Sequence, residues 1–326
     1  MLGWLLRIVG GLVLLGLLAL GGLATILLEY GERPASSLKP IEVAPDVKFI
    51  EANGIRFAYL EEGQGPLVLL FHGYPETARS WKVVQQRLAA SGYRVVAPYM
   101  RGYPPTSFAA DGDYSVPALG RDVIALIEAL GEQSAIIVGH DWGASAVYAA
   151  VAENPAKISR LVAMAIPHPR SFVGDPTIFL NAPHFIYYQL PIAERLVWSH
   201  DFAHIEWIYS QWAADSYAPS PEALADIKAT LRAPGATEGV LGYYWSLFKR
   251  DPAELEAAAA RTIAVPTLVI AGAVDGAVSR TRYEKARDAF TGPYSYVELE
   301  GVGHFPQLEA PEQTADAIVA FLGAGP

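Results

Sequence analysis

Short, uninterrupted apolar runs alternate with segments of helical periodicity along most of the chain. Runs of this length suit buried strands, and residues that recur at helical spacing suit helices packed beside them. We predict strands over 67–71, 93–98, 135–139, 158–166, 266–271 and 294–299, and helices over 81–90, over 119–130, from 142 and over 311–322. Continuous apolar strands that alternate with helices indicate an α/β fold with a mostly parallel sheet covered on both faces.

One long segment interrupts this alternation. Residues 167–264 are aromatic, contain several prolines and show no strand-like run. We interpret them as a helical cap inserted into a core formed by residues 46–166 and 265–326. Ligands of open α/β sheets bind at the carboxyl ends of the strands, so we expect the functional residues there.

The first thirty residues differ in composition from the rest. Residues 8–28 carry no charge and are almost entirely Leu, Val, Ile, Ala and Gly, with Trp4 and Tyr30 near the two ends. A helix of this length spans about 30 Å, the thickness of the hydrocarbon core of a bilayer. We predict a transmembrane helix within residues 1–30 that anchors the protein in a membrane, followed by a linker over 31–45 that contains Pro and Ser.

The charges that flank the apolar run indicate its orientation. Arg7 precedes the run, whereas Glu29 and Glu32 follow it. By the positive-inside rule we expect the amino terminus in the cytoplasm and the globular part on the exported side. The alternative is a cleaved signal peptide and a secreted protein, although the apolar region of a signal peptide is usually shorter.

The composition excludes several classes of protein. The formal net charge of -10 leaves no basic surface for phosphates, so nucleic acid is not an expected partner. The chain has no cysteine, which excludes disulfides, thiolate metal sites and a cysteine nucleophile. A high apolar and aromatic content indicates a globular protein with a large core.

Residues 139–143, with the sequence GHDWG, lie between a predicted strand and a predicted helix. They have the spacing of the G-x-S-x-G nucleophile elbow, with Asp141 in the place of the serine. Glycines flank the central residue of that turn because its backbone is tight and strained. We therefore predict that Asp141 is a nucleophile; the alternative is that Asp141 only caps the following helix.

Two further residues complete the order nucleophile, acid, histidine. Asp275 follows the predicted strand 266–271, and His304 follows the predicted strand 294–299. Each lies where a catalytic residue of such a sheet is expected, so we predict that Asp275 orients His304 and that His304 is the base. His168 and His184 fall in or beside the cap and are candidates to line the pocket.

The chain from about residue 46 onward resembles the α/β-hydrolases and, among them, the epoxide hydrolases. The matching strings are HGYPE at 72–76, MRGY at 100–103, GHDWGA at 139–144 and the segment around His304. Two positions depart from the usual pattern. Tyr99 stands where the family has Asp, and Pro104 stands where it has another glycine after Tyr103.

The resemblance implies further site residues. The backbone amides of Tyr74 and Trp142 would form an oxyanion hole, with His72 in the same substrate-binding loop and a cis bond between Tyr74 and Pro75. Two cap tyrosines would face the nucleophile. They are Tyr244 and Tyr188, with Tyr187 and Tyr209 as alternatives to the latter.

An aspartate nucleophile restricts the chemistry. A carboxylate with a pKa of about 4 is ionised at neutral pH but is weakly nucleophilic, so the electrophile must be activated. Attack at a saturated carbon gives an alkyl ester of Asp141, which water activated by His304 then hydrolyses. We expect a small hydrophobic epoxide and water as substrates, with no metal and no organic cofactor.

Three alternatives stay open. Dehalogenation of a haloalkane or haloacid would use the same three residues, with Trp142 and the cap tryptophans as halide donors. A non-catalytic, membrane-tethered binding module would hold an apolar ligand under the cap. A serine esterase is disfavoured because Ser145, the nearest serine, lies four residues beyond the centre of the elbow.

Overall fold

The computed structural model describes residues 37–172 and 182–323. The predicted anchor over 1–30 and the first part of the predicted linker lie outside the described residues. Among the helices that are described, none is both long and apolar enough to span a bilayer.

One sheet of eight strands organises the part of the chain that the structure describes. The spatial order of the strands is β1-β2-β4-β3-β5-β6-β7-β8. β1 and β2 pair antiparallel, as do β2 and β4, and all pairs from β4 through β8 are parallel. The predicted mostly parallel sheet is therefore confirmed. The strands are β1 (Lys48–Ala52), β2 (Ile55–Glu62), β3 (Leu67–Phe71), β4 (Arg94–Pro98), β5 (Ala135–His140), β6 (Ile158–Met164), β7 (Thr267–Gly272) and β8 (Tyr294–Leu299).

Helices cover the sheet on both faces. Every residue of β3, β5 and β7 is buried, which requires cover above and below the central strands. The helices of the described residues are α1 (Lys82–Ala90), α2 (Val116–Ala129), α3 (Trp142–Glu153), α4 (His184–Tyr187), α5 (Ala193–Trp212), α6 (Pro221–Arg232), α7 (Ala236–Leu247), α8 (Pro252–Ala260), α9 (Arg280–Ala286), α10 (Pro306–Glu309) and α11 (Pro311–Gly323). α2 packs on α3, and α1 packs on α11.

The antiparallel pair β1 and β2 was not predicted. Its strands contain charged residues among the apolar ones, so the periodicity is weaker than in the buried strands. The turn between the two strands has a sequence pattern that predicts a hairpin, and the prediction did not use it. Asn53 and Gly54 have φ values of 48° and 72°, as a two-residue hairpin turn requires, and Asn-Gly is the preferred pair for that turn.

The described residues between β6 and β7 form helices joined by turns and loops. α4 to α8 lie there, and none of the described residues of this segment forms a strand. α5 is broken at Ser199–Phe202, where His200, Asp201 and Phe202 have positive φ values. These helices agree with a cap inserted into the core. The boundaries at 167 and 264 stay a prediction.

A buried ion pair and its hydrogen bonds join four parts of the fold. Arg101, in the loop after β4, donates to Asp122 of α2 through two contacts of 2.6 Å. Asn53 of the hairpin turn donates to the same carboxylate at 2.8 Å, and Tyr243 of α7 donates to the Arg101 carbonyl at 2.7 Å. Because both charged side chains are almost fully buried, each depends on the other for compensation.

We expect Asp122→Ala to destabilise the protein strongly, because it leaves the Arg101 guanidinium buried without its carboxylate. The free energy of unfolding should fall by about 3–5 kcal/mol. Asp46→Ala, which breaks the surface pair of Asp46 with Arg79, should cost only about 0–1 kcal/mol. Urea unfolding of both variants measures the difference, and equal losses would contradict the assignment.

Candidate active site

Asp141 lies at the sharp bend between β5 and α3. Its φ is 51°, in the left-handed region that side chains other than glycine rarely adopt. A Cβ atom on Gly139 would lie 2.2 Å from the Gly143 carbonyl oxygen, and one on Gly143 would lie 2.1 Å from the Phe71 carbonyl oxygen. Only glycine fits at these two positions, so the flanking glycines are what allow the strained turn. The predicted elbow geometry is present.

Backbone and imidazole groups approach the two carboxylate oxygens of Asp141 from different sides. The Tyr74 amide donates to Oδ1 at 2.9 Å. His304 Nε2 lies 3.5 Å from Oδ2. The Tyr74–Pro75 bond is cis, as the resemblance implied. Oδ1 therefore already faces a donor of the expected oxyanion hole, while Oδ2 is next to the base. Trp142, which carries the other expected amide, is the first residue of α3.

Asp275 holds His304 in one orientation. The Nδ1 atom of His304 lies 2.9 and 3.1 Å from the two oxygens of Asp275. Asp275 Oδ1 also accepts from the amides of Ala277 and Val278 at 2.7 and 2.9 Å. Because Asp275 can only accept, Nδ1 must carry a proton, and Nε2 is directed at Asp141. The structure thus brings together the three residues predicted from chain order.

The charges of this arrangement shift two pKa values in opposite directions. Burial raises the pKa of Asp141, but His304 and the Tyr74 amide outweigh it and hold this pKa below its usual value. Burial lowers the pKa of His304, but the Asp275 charge and the contacts with Asp141 raise it to about 10. At neutral pH the site therefore holds an imidazolium between two carboxylates.

A second buried network, which the sequence analysis missed, holds the base against the elbow. His140, next to Asp141, donates from Nε2 to the backbone carbonyl of His304 at 2.7 Å. Its Nδ1 lies 3.1 Å from Glu76 Oε2, which also accepts from Gln307 at 2.7 Å. Glu76 and His140 both belong to strings quoted for the resemblance, so the signal was available. His140 is separated from Glu76 by 64 positions in the chain and from His304 by 164 positions.

Aromatic rings form an arc that runs from Trp142, the residue after Asp141, to His304. The ring centroids are 5.1 Å apart for Trp142 and Tyr244, and 5.2 Å apart for Tyr244 and His184. They are 4.8 Å apart for His184 and Trp212, and 5.2 Å apart for Trp212 and His304. We call these five residues the aromatic arc. It places the predicted cap residue Tyr244 against Trp142, the residue that follows Asp141.

Tyr244 has the protonation state of a hydrogen-bond donor. Burial and the Asp141 charge raise its pKa well above the usual value, so its hydroxyl keeps its proton at neutral pH. The Trp142 side chain, whose ring lies edge-on to that of Tyr244, acts against this shift and lowers the pKa. The protonated hydroxyl can therefore donate to an acceptor.

Tyr188 lies beside Tyr244, but its hydroxyl has other partners. It is 2.7 Å from the Tyr74 hydroxyl and 2.7 Å from His204 Nε2. The Trp245 indole donates to the Tyr188 carbonyl at 2.8 Å, and this bond fixes the segment to α7. Of the alternatives to Tyr188, Tyr187 lies 3.4 Å from the same His204 nitrogen. His204 had not been singled out from the sequence.

The remaining predicted residues lie around this centre. Burial lowers the pKa of His72 to about 4, and the neutral ring accepts from the Met100 amide at 3.0 Å while its other nitrogen lies 3.0 Å from the Gly73 carbonyl. His72 therefore shapes the loop that carries Tyr74. The buried His168 packs on Tyr148 and Phe290, outside the aromatic arc.

Comparisons with known proteins agree with this geometry. Residues 66–199 match the family described as the alpha/beta hydrolase fold. The chain is 31% identical to Epoxide hydrolase A of Mycobacterium tuberculosis, over 86% of this chain and 98% of that protein. The chain belongs to the epoxide hydrolase family.

Further members of the epoxide hydrolase family are similar over most of their length. An epoxide hydrolase of Caballeronia sordidicola is 29% identical over 84% of this chain and 92% of that protein. The crystal structure of Epoxide Hydrolase A from Mycobacterium thermoresistibile superposes with a TM-score of 0.76 at 28% identity, over 86% of this chain and 99% of that one.

The pKa of His304 should depend on the Asp141 charge in this member of the epoxide hydrolase family. We expect wild-type His304 to keep its proton as the pH rises, until the pH approaches the raised value of about 10. In Asp141→Asn the negative neighbour is gone, so the pKa should fall and the ring should lose its proton at lower pH. NMR titration of the imidazole nitrogens measures both, and identical titrations would refute the coupling.

Proposed function

We propose that the protein is an epoxide hydrolase, which opens an epoxide to a diol through an ester of Asp141. The observation that carries the proposal is the arrangement of Asp141. One of its oxygens accepts from the Tyr74 amide, and the other faces an imidazole held by Asp275. The family of the chain supports the same activity.

The first step is attack of Asp141 on an epoxide carbon. Oδ2 forms a new C–O bond to that carbon, and the C–O bond of the ring breaks. The ring oxygen leaves the carbon as an alkoxide and takes the hydroxyl proton of Tyr244. Tyr244 is then a phenolate, which needs a proton before the next cycle.

The resting ion pair supplies that proton and produces the base of the second step. Once Asp141 is an ester it carries no charge, so the pKa of His304 falls. The imidazolium can then give its proton to the Tyr244 phenolate through the product hydroxyl or a water molecule. This transfer leaves a neutral tyrosine and a neutral imidazole whose Nε2 faces the ester.

The second step is hydrolysis of the ester. Neutral His304 accepts a proton from water, and the hydroxide adds to the carbonyl carbon of Asp141. The oxyanion forms on Oδ1, where the Tyr74 amide already donates. The alkoxide leaves and takes the remaining proton of the added hydroxyl. The diol, the Asp141 carboxylate and the His304 imidazolium result, so protons balance over the cycle.

Dehalogenation is the second candidate, because the aromatic arc contains N–H donors that could stabilise a halide. Trp142 and Trp212 both lie in it. A parallel assay with epoxides, short haloalkanes and fluoroacetate distinguishes the two activities. The hydrogen bonds of Asp275 with His304 Nδ1, which leave Nε2 directed at Asp141, argue against a binding module. Ser145 argues against an esterase, since it lies within α3 and not at the bend.

We expect His304→Gln to trap the covalent intermediate, since alkylation still proceeds while ester hydrolysis slows by about 10²–10⁴-fold. After incubation with styrene oxide, the intact mass should increase by the mass of the substrate. A peptide digest should place the added mass on Asp141. The control is a chain that combines His304→Gln with Asp141→Asn, and its mass should not increase. An adduct on this control, or no adduct on the His304→Gln variant, would contradict the covalent route.

We also propose that residues 8–28 anchor the enzyme in a membrane, with the amino terminus in the cytoplasm and the catalytic part exported. The support is the length and composition of the run and the position of Arg7 before it. A lipid-embedded anchor would keep the enzyme where hydrophobic epoxides concentrate.

The full-length chain should stay in the membrane pellet after carbonate extraction and keep its intact mass of 35.1 kDa. Replacing Leu14 and Leu18 by Arg should release it, because charge at the centre of a span is costly. Leu2→Arg, which lies before the run, is the matched control and should remain in the pellet. A mature protein shortened at its amino terminus and found in the soluble fraction would instead support secretion after signal cleavage.

A further inference from the structure

His184 occupies the centre of the aromatic arc. It is 3% exposed, and its ring lies between those of Tyr244 and Trp212, at centroid distances of 5.2 and 4.8 Å. Tyr244 in turn contacts Trp142, the residue that follows Asp141, and Trp212 contacts His304. His184 therefore lies one ring away from Trp142, the neighbour of Asp141, and one ring away from His304. The mechanism derived above does not use it.

The environment keeps His184 uncharged. Burial lowers its pKa to about 3, against the opposing effect of the Asp141 charge. His204 and His304 lower it further. A neutral imidazole has one N–H donor and one acceptor nitrogen. At neutral pH His184 can therefore donate one hydrogen bond without adding a positive charge beside the His304 imidazolium.

Tyr188 is less suited to act as the second donor beside Tyr244. Its hydroxyl has one proton and lies within 2.7 Å of both the Tyr74 hydroxyl and His204 Nε2. The Asp141 charge raises the pKa of Tyr244 and, against the larger effect of burial, the pKa of His184. The charges that raise the pKa of Tyr188 are instead those of Tyr74, Tyr187 and Tyr244. The cap thus presents one hydroxyl and one imidazole to the nucleophile.

We propose that His184 is a catalytic residue whose N–H donates to the epoxide oxygen while the ring opens. The proposal rests on the proposed function. As the bond between carbon and the ring oxygen breaks and the Asp141 ester forms, negative charge develops on that oxygen. Tyr244 transfers its proton to the oxygen, and the N–H of His184 stabilises the oxygen by a hydrogen bond without giving up its proton. The hydrolysis step does not involve this oxygen, so His184 should affect alkylation alone.

Single-turnover rapid quench of the full-length enzyme with styrene oxide separates the two steps. Appearance of the acid-trapped ester gives the alkylation rate, and its decay gives the hydrolysis rate. His184→Phe keeps an aromatic ring but removes the donor, and it should slow alkylation by roughly 10- to 100-fold. His184→Gln keeps an N–H and should recover most of that loss. Hydrolysis should change little in either variant.

Three variants serve as controls. His184→Leu is a second donor-free variant should the phenylalanine not fold. His168→Phe removes another buried histidine outside the aromatic arc and should leave both rates as in the wild type. Tyr188→Phe tests the competing donor and should slow alkylation less than His184→Phe does.

Three results would overturn the assignment. The first is a wild-type alkylation rate in both donor-free variants. The second is an equal loss of alkylation rate in His184→Phe and His184→Gln. The third is a loss of hydrolysis rate as large as the loss of alkylation rate. A larger loss of alkylation rate in Tyr188→Phe than in His184→Phe would assign the second donor to Tyr188 instead. A wild-type chain that opens no epoxide would contradict the proposed function itself, whereas an active wild type with any of the three results contradicts only the role of His184.

Discussion

A buried imidazole between two carboxylates is the interaction on which the rest of the site depends. His304 lies 2.9 Å from Asp275 and 3.5 Å from Asp141. An isolated charge in such an interior would be costly, so the three groups stabilise one another in their charged forms. The fold provides this arrangement because the three residues follow the carboxyl ends of β5, β7 and β8, which meet at one edge of the sheet.

The same arrangement allows one histidine to serve both steps of the proposed reaction. While Asp141 is charged, His304 is held as an imidazolium and cannot act as a base. Forming the ester removes the charge that helped to hold the proton. The covalent bond to the substrate therefore switches His304 to its basic form at the point where water must be activated. No movement of the backbone is needed for this change.

Sequence reasoning succeeded where neighbours in the chain are also neighbours in space. The apolar runs predicted β3 and β8 with the observed bounds, and the glycines around Asp141 predicted a bend that only they can form. It also placed Asp141, Asp275 and His304 together, because each follows a strand end of the sheet, but it failed for other contacts between distant segments. The pairing of Tyr188 with Tyr74 joins residues 114 positions apart, and nothing local in either segment indicates it. The place of His184 in the aromatic arc depends on four other segments in the same way.

The core and the cap contribute different groups to the proposed reaction. In the proposed reaction the core carries the nucleophile, the base and the oxyanion donor, and these would serve for any electrophile that forms an ester with Asp141. Discrimination between leaving groups must therefore come from the cap, which contributes Tyr244, His184 and Trp212 to the aromatic arc. An epoxide oxygen stays attached to the product and needs a proton, which Tyr244 can give. A halide departs as a free anion and needs only N–H donors. The presence of a protonated hydroxyl whose pKa responds to the Asp141 charge is the feature that favours an epoxide.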